Sequence, residues 1–342
     1  MSTNTYSALT SNGLRQALRI ACGSTLGFLI CKVVGWNYGV FFTIFPILLL
    51  GLTPILSPHV IRQYIANSIV TAIEILVIAG LFGDQFLIMI IITFCLFLYR
   101  FILMSKGPLF FFGAFSLVNV SIQLHLSSYP GIDIYDLVFS NLIATLLTVC
   151  IALLMHWLFP NVDPISPPPR PIKESHHYRH EVLLGTSIAT LSFISFQVLD
   201  LNDALAAQVA TVLILFPLRW RGIIIAAEKR IIGTYIGSLA VLITQLVLYH
   251  YISEFVLVLF VYWICMLYFA KVHVTDVGMP GIGFSGITTI AIIYGQFLSP
   301  ESDITFDTVH RLISVTLAVV ITLSCVYLIH LLLNKFEVTR IE

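Results

Sequence analysis

Glu74 is the acid that lies deepest within an apolar stretch, and Asn67, Thr71 and Glu74 recur at i, i+4 and i+7 on one helical face. A charge at the centre of a bilayer costs about 2.5–3.5 kcal/mol on insertion scales, so this carboxyl must face a bundle interior or carry a proton. Two roles fit it: a proton carrier coupled to a gradient, or a hydrogen-bonded packing residue. Arg19, Arg62 and Arg230 stand near the starts of apolar runs. Their planar forks suit a carboxylate held through two bonds, or they anchor helix ends with stems lying along lipid. Together with Asn67, Glu74, Asn119, Gln123, Gly281, Gly283 and Ser285, they form the candidate binding set.

The remaining polar positions are uncharged. Ser116, Asn119 and Gln123 share one helical face, as do Asn141, Thr145, Thr148 and His156. Interhelical hydrogen bonds and a substrate path explain such stripes equally well. The segment Gly278-Met-Pro-Gly281-Ile-Gly283-Phe-Ser-Gly286 leaves backbone accessible at a helix entrance. At membrane depth, irregular backbone survives only where it lines a cavity or is buried in protein. Gly23 and Gly27, like Gly233 and Gly237, have the spacing of close helix approach. His176, His177 and His180 fall in a polar stretch, and no metal is expected there. No Ser-His-Asp, Cys-His or paired-carboxylate set is present, so neither an enzyme nor a cofactor is expected. Asp136 and Asp307 read as first-turn acids that complement a helix dipole.

These residues must be positioned by membrane helices. The chain is 58% hydrophobic and 10% charged, whereas a soluble domain carries charge on roughly a quarter of its residues. Zero net charge gives no basis for a nucleic-acid partner. The Cys residues all lie in apolar runs, where they act as small hydrophobes. The polar N-terminus lacks the apolar core of a signal peptide and is expected to be retained.

Charge-poor runs of about the 17–25 residues needed to cross a bilayer place helices near 14–33, 37–55, 62–82, 86–104, 108–126 and 136–159. A second set falls near 181–199, 203–218, 228–249, 254–270, 280–298 and 308–333, with the eighth and tenth short. The fold expected is therefore an all-α integral membrane protein of about twelve transmembrane helices. With the N-terminus inside, all but Lys32 and Arg311 of the 17 Lys and Arg fall on the inner side. That asymmetry sets orientation and puts both termini in the cytoplasm.

The chain also reads as two parallel six-helix repeats. Tyr135-Asp136-Leu137-Val138 matches Phe306-Asp307-Thr308-Val309, Gly107-Pro108 matches Met279-Pro280, and Arg62 matches Arg230. Six spans is an even number, so both copies run the same way. The expected divisions are a cytoplasmic segment 1–13, a first repeat 14–160, a Pro-rich cytoplasmic linker 161–180, a second repeat 181–334 and a tail 335–342. Pro164 to Pro171 makes the linker an extended spacer.

Arg15-Gln-Ala-Leu-Arg19-Ile-Ala-Cys-Gly23, Val34-Gly35-Trp36-Asn37-Tyr38-Gly39 and Arg230-Ile-Ile-Gly233-Thr234-Tyr-Ile-Gly237 resemble the fusaric acid resistance (FUSC) superfamily. The resemblance covers both halves on loose motifs. It implies a multi-pass protein of the bacterial inner membrane that exports aromatic carboxylic acids with a periplasmic membrane-fusion adaptor. Many relatives carry a large cytoplasmic domain after six spans, where this chain has only the linker. The function expected is a secondary transporter of small organic anions, with Glu74 as the proton-coupling residue and a lipid bilayer around it. A homo-oligomer is open. Other readings are a major-facilitator-like carrier, an anion channel and a non-transporting assembly subunit.

Overall fold

The computed structural model describes residues 8–83, 85–129, 131–165, 174–199, 201, 205–248, 254–276, 281–297 and 304–341. The helices are α1 (Ser11–Val34), α2 (Gly39–Leu52), α3 (Pro58–Phe82), α4 (Phe86–Lys106), α5 (Phe110–Ser127) and α6 (Ile134–Leu158). They continue as α7 (Ser175–Val198), α8 (Leu205–Ile214), α9 (Trp220–Leu248), α10 (Phe255–Thr275), α11 (Ile282–Phe297) and α12 (Ile304–Leu333). The chain is thus an all-α integral membrane protein, as its composition requires. Much of the Pro-rich stretch, part of the Gly278–Gly286 segment, and Asp84, Asp200, Asp203, Glu301 and Asp303 lie outside the described residues.

Among the described residues, 9 helices are long and apolar enough to cross a bilayer. The shorter α2, α8 and α11 have 14, 10 and 16 residues. At 1.5 Å per residue they extend about 21, 15 and 24 Å, less than the roughly 30 Å hydrocarbon core. All of α8 and nearly all of α2 is buried, which accounts for their being apolar on most of their surface. The tenth helix is not short: it continues past Lys271 to Thr275, 21 residues in all. A lysine near a helix C-terminus is compatible with the macrodipole and does not end the helix. The linker is also shorter than expected, because α7 begins at Ser175 and takes in all three histidines.

Packing divides the chain into two compact units that do not follow its halves. One holds 1–61, 140–166 and 229–313; the other holds 62–139, 167–228 and 314–342. In the first unit α1 packs on α2 and α10, and both of these pack on α11. In the second, α7 packs on α8 and α4, and both of these pack on α5. Laying α1–α6 on α7–α12 turns one set of pairs into the other. Each unit is therefore built from the first, second and sixth helices of one half of the chain with the third, fourth and fifth of the other.

Local chemistry permits the close packing inside each unit. Pro46 within α2 has no N–H to offer the Phe42 carbonyl. Gly27 of α1 lies against that same carbonyl, where a Cβ would come within 2.3 Å. Large apolar side chains cover the outer faces, among them Ile73 and Val77 on α3, Leu87 and Ile91 on α4, and Leu246 on α9. Such faces suit lipid and would not suit water.

Candidate functional site: polar groups inside the helix units

Charged side chains inside the helices are balanced in different ways, and that difference defines the site. In the second unit, Gln63, Asn67 and Thr71 line the buried face of α3, with Glu74 half-buried a turn beyond. Gln63 accepts a bond from the Phe112 N–H at 2.8 Å and donates to the Pro108 carbonyl at 3.3 Å. It thereby satisfies one of the orphan amides at the start of α5. Thr71 donates to Asn67 at 3.4 Å.

Glu74 is paired with Arg100 of α4 through its Oε2 and the Arg100 Nη2. Arg100 is 1% exposed, and its Nε donates to Ser116 of α5 at 3.0 Å. Further along α5, Gln123 donates to Asn119 at 3.0 Å, and both are buried. The three helices thus share a polar seam of an ion pair, a hydroxyl and two amides. Gln208 of α8 is fully buried and accepts from Ser192 at 2.9 Å.

Arg100 is the residue that sequence reasoning missed. The charge tally counted it on the inner side of the membrane. Its position among Leu96, Phe97, Leu98, Phe101 and Ile102 was the available signal, since an arginine enclosed by apolar residues within a span needs an internal partner. Arg19 and Arg230 are likewise buried inside helices.

In the first unit, Arg19 is fully engaged. Its Nη2 donates to Asn161 Oδ1 at 2.6 Å, its Nη1 to the Pro54 carbonyl at 3.4 Å and its Nε to the Arg15 carbonyl at 3.4 Å. Pro54 follows α2, so the cation lies at the negative end of a helix dipole. Arg19 ties α1, the end of α2 and the end of α6 together, which is a structural assignment. Arg62 is exposed at the beginning of α3 and does not face the seam. Its neighbour Gln63 does.

The inward position on α9 is Arg230, followed by Thr234 and Ser238 at the i+4 and i+8 spacing that Gln63, Asn67 and Thr71 show on α3. The two stripes align one residue out of step with the Arg62–Arg230 match. Arg230 is 1% exposed and its Nη1 donates to Thr288 of α11 at 2.8 Å. Its Nε has no hydrogen-bond partner, and no acidic group pairs with it among the described residues. The adjacent Lys229 pairs with Asp276 at 2.7 Å. The other Asp276 oxygen accepts the Ile282 N–H at 2.9 Å.

Gly281, Gly283 and Ser285 serve helix contact. A Cβ at Gly283 would lie 2.2 Å from the His273 amide nitrogen, so only glycine lets α11 meet α10 there. Ser285 donates to the Gly281 carbonyl of its own helix at 3.1 Å. On α6, Thr145 and His156 also bond back to their own helix, at Asn141 O and Ala152 O. Asp133 caps α6 by accepting the Tyr135 and Asp136 amides, with Asp136 in the first turn. The Asp307 side chain lies outside the described residues.

The histidines differ from the expectation of an extended segment. Glu174, His176 and His177 bring their ligand atoms within 4.8 Å of one another on an accessible surface at the start of α7. The positive end of a helix dipole disfavours a cation there. His180 is buried and helical. Its Nδ1 donates to the Thr339 carbonyl at 2.8 Å, and its Nε2 meets His330 Nδ1 at 2.9 Å.

Comparison with known proteins adds one finding. A family described as protein of unknown function, DUF2955, matches residues 16–155. The match runs from α1 almost to the end of α6. No curated protein matches the chain, and no solved structure does.

Proposed function

We propose that the chain is a secondary transporter that moves small organic anions across the membrane and couples that movement to protons. The reading is carried by the ion pair of Glu74 and Arg100, which lies inside a helix unit and continues through Ser116. Ionisable groups within membrane helices are costly and characteristically belong to substrate or proton routes. A packing role alone does not call for a charge pair, since apolar side chains of like volume fill such space at least as stably. When Glu74 takes up a proton, Arg100 loses its counter-charge and becomes available to an anion, which links the two fluxes. The short buried helices α2, α8 and α11 also resemble the discontinuous helices of carriers.

Export from the cytoplasm, a bacterial inner-membrane location, cytoplasmic termini and a membrane-fusion adaptor are parts of the same proposal. They rest on the likeness to the FUSC superfamily and on the distribution of Lys and Arg. The chain acts as a carrier and performs no covalent chemistry in this reading. Proteoliposomes holding purified protein test it, with radiolabelled benzoate and an imposed pH gradient. Uphill benzoate movement that follows the gradient, and is lost in Glu74→Gln while downhill exchange persists, is the expected result. Benzoate flux that ignores the pH gradient in the wild-type protein would leave a passive channel in its place.

A further inference from the structure

We propose that Arg230 anchors a binding site for a single carboxylate in the first helix unit. The site deepens the transport reading and rests on it for its physiological ligand. The buried and half-buried cations are compensated in different ways. Arg100 is neutralised by Glu74, and Lys229 by Asp276. Arg19 spends its fork on one amide and two carbonyl oxygens. Arg230 alone among these has a guanidinium nitrogen, its Nε, that is buried without any partner.

Thr288 does not resolve this. Its hydroxyl donates to the Phe284 and Ser285 carbonyls, each at 3.0 Å, and so presents only a lone pair to Arg230. A neutral acceptor on one nitrogen leaves the charge itself uncompensated. Asp276, the acid that pairs with the adjacent Lys229, has both its oxygens committed to Lys229 and Ile282. An uncompensated buried cation is strongly unfavourable, and an anion that supplies the missing charge gains what the protein lacks.

The surroundings favour a carboxylate. Two turns beyond Arg230 on the same face of α9, Ser238 is buried with its hydroxyl unpartnered. Gly233 and Gly237 bring α9 against the backbone of α11, and a Cβ at Gly233 would stand 2.4 Å from the Ile282 carbonyl. The open Nε edge offers one arm of a fork matched to a planar two-oxygen group. One uncompensated charge calls for a monoanion.

Isothermal titration of the full chain in detergent with benzoate, and separately with acetate and inorganic phosphate, tests the site. Wild-type protein is expected to bind a carboxylate, and Arg230→Gln to bind it at least about tenfold more weakly. Arg230→Lys keeps the charge without the fork and is expected to fall between them. It also serves if the glutamine variant does not fold. Unchanged carboxylate affinity in either folded variant would overturn the proposal, as would binding of phosphate in preference to both carboxylates. Lost binding in Arg230→Gln with no transport by the wild type would retain the site and remove the carrier reading. Intact pH-driven transport in Arg230→Gln would do the reverse.

Discussion

Glu74 on α3 and Arg100 on α4 neutralise each other within one helix unit, 26 residues apart in the chain, and Arg100 then reaches α5 through Ser116. The acid is not isolated, so its removal acts first on its partner. Glu74→Ala leaves a buried guanidinium unpaired and is expected to destabilise the protein by about 3–5 kcal/mol. Replacing both members with glutamine is expected to cost clearly less. Thermal unfolding of the single and double variants in one detergent checks the order, and an additive double variant would contradict the pairing.

Arg19 and Asn161 provide a second test, since this arginine is structural where Arg230 is not. Asn161→Ala removes the 2.6 Å bond and leaves the two longer contacts to Pro54 and Arg15. A hydrogen bond to a charged group contributes about 1.5–3 kcal/mol, so stability should fall by about that amount. Benzoate affinity should be unchanged.

Gly283 meets α10 backbone directly. Gly283→Ala sets a methyl group against the His273 amide nitrogen, and neither helix can move it aside by rotating a side chain. Overpacking of this kind costs about 1–3 kcal/mol. The variant should melt at lower temperature, whereas Gly80→Ala, which meets open space, should not.

The pair of His180 and His330 fixes its own tautomers. The Thr339 carbonyl requires the proton of His180 on Nδ1, and its Nε2 then accepts from His330 Nδ1. His330 Nε2 accepts from the Asn334 amide, whose oxygen receives the Ile341 N–H. In this chain of bonds His180 Nε2 is an acceptor, and a proton added to it meets the His330 N–H. Trp220 stacks on His330, Glu181 adjoins His180 with Arg219 at 3.7 Å from its carboxylate, and His177 lies one turn away. Acidification should therefore detach the segment 334–341, because the added proton breaks the bond that holds it. Amide hydrogen exchange at Ile341 should rise as pH falls beyond its intrinsic trend, and His330→Gln should remove that step.

The positions of the helices were legible in the sequence because a bilayer demands long apolar runs, and the runs are bounded by charge and proline. The shortness of α8 was visible for the same reason. The ends were less so: Lys271 looked like a boundary, and Ser175 to His180 looked like linker, although polar residues at helix ends face water and headgroups readily. The stripe of Asn67 and Glu74 and the stripe of Asn119 and Gln123 each emerged from spacing. The partner of Glu74, Arg100, did not, because a rule about loop charges absorbed a residue that belongs to the interior. Arg62 and Gln63 show how a one-residue error in register turns an exposed anchor into a buried cap. Nothing in periodicity tells which helix packs on which, so the exchange between repeats was not accessible from pattern alone.

That exchange has a consequence for dividing the chain. A cut between α6 and α7 leaves each half with helices from both compact units, so neither half holds a complete one. Expressed singly, each half would expose the helix faces that the other covers, and the two would have to be made together to close them.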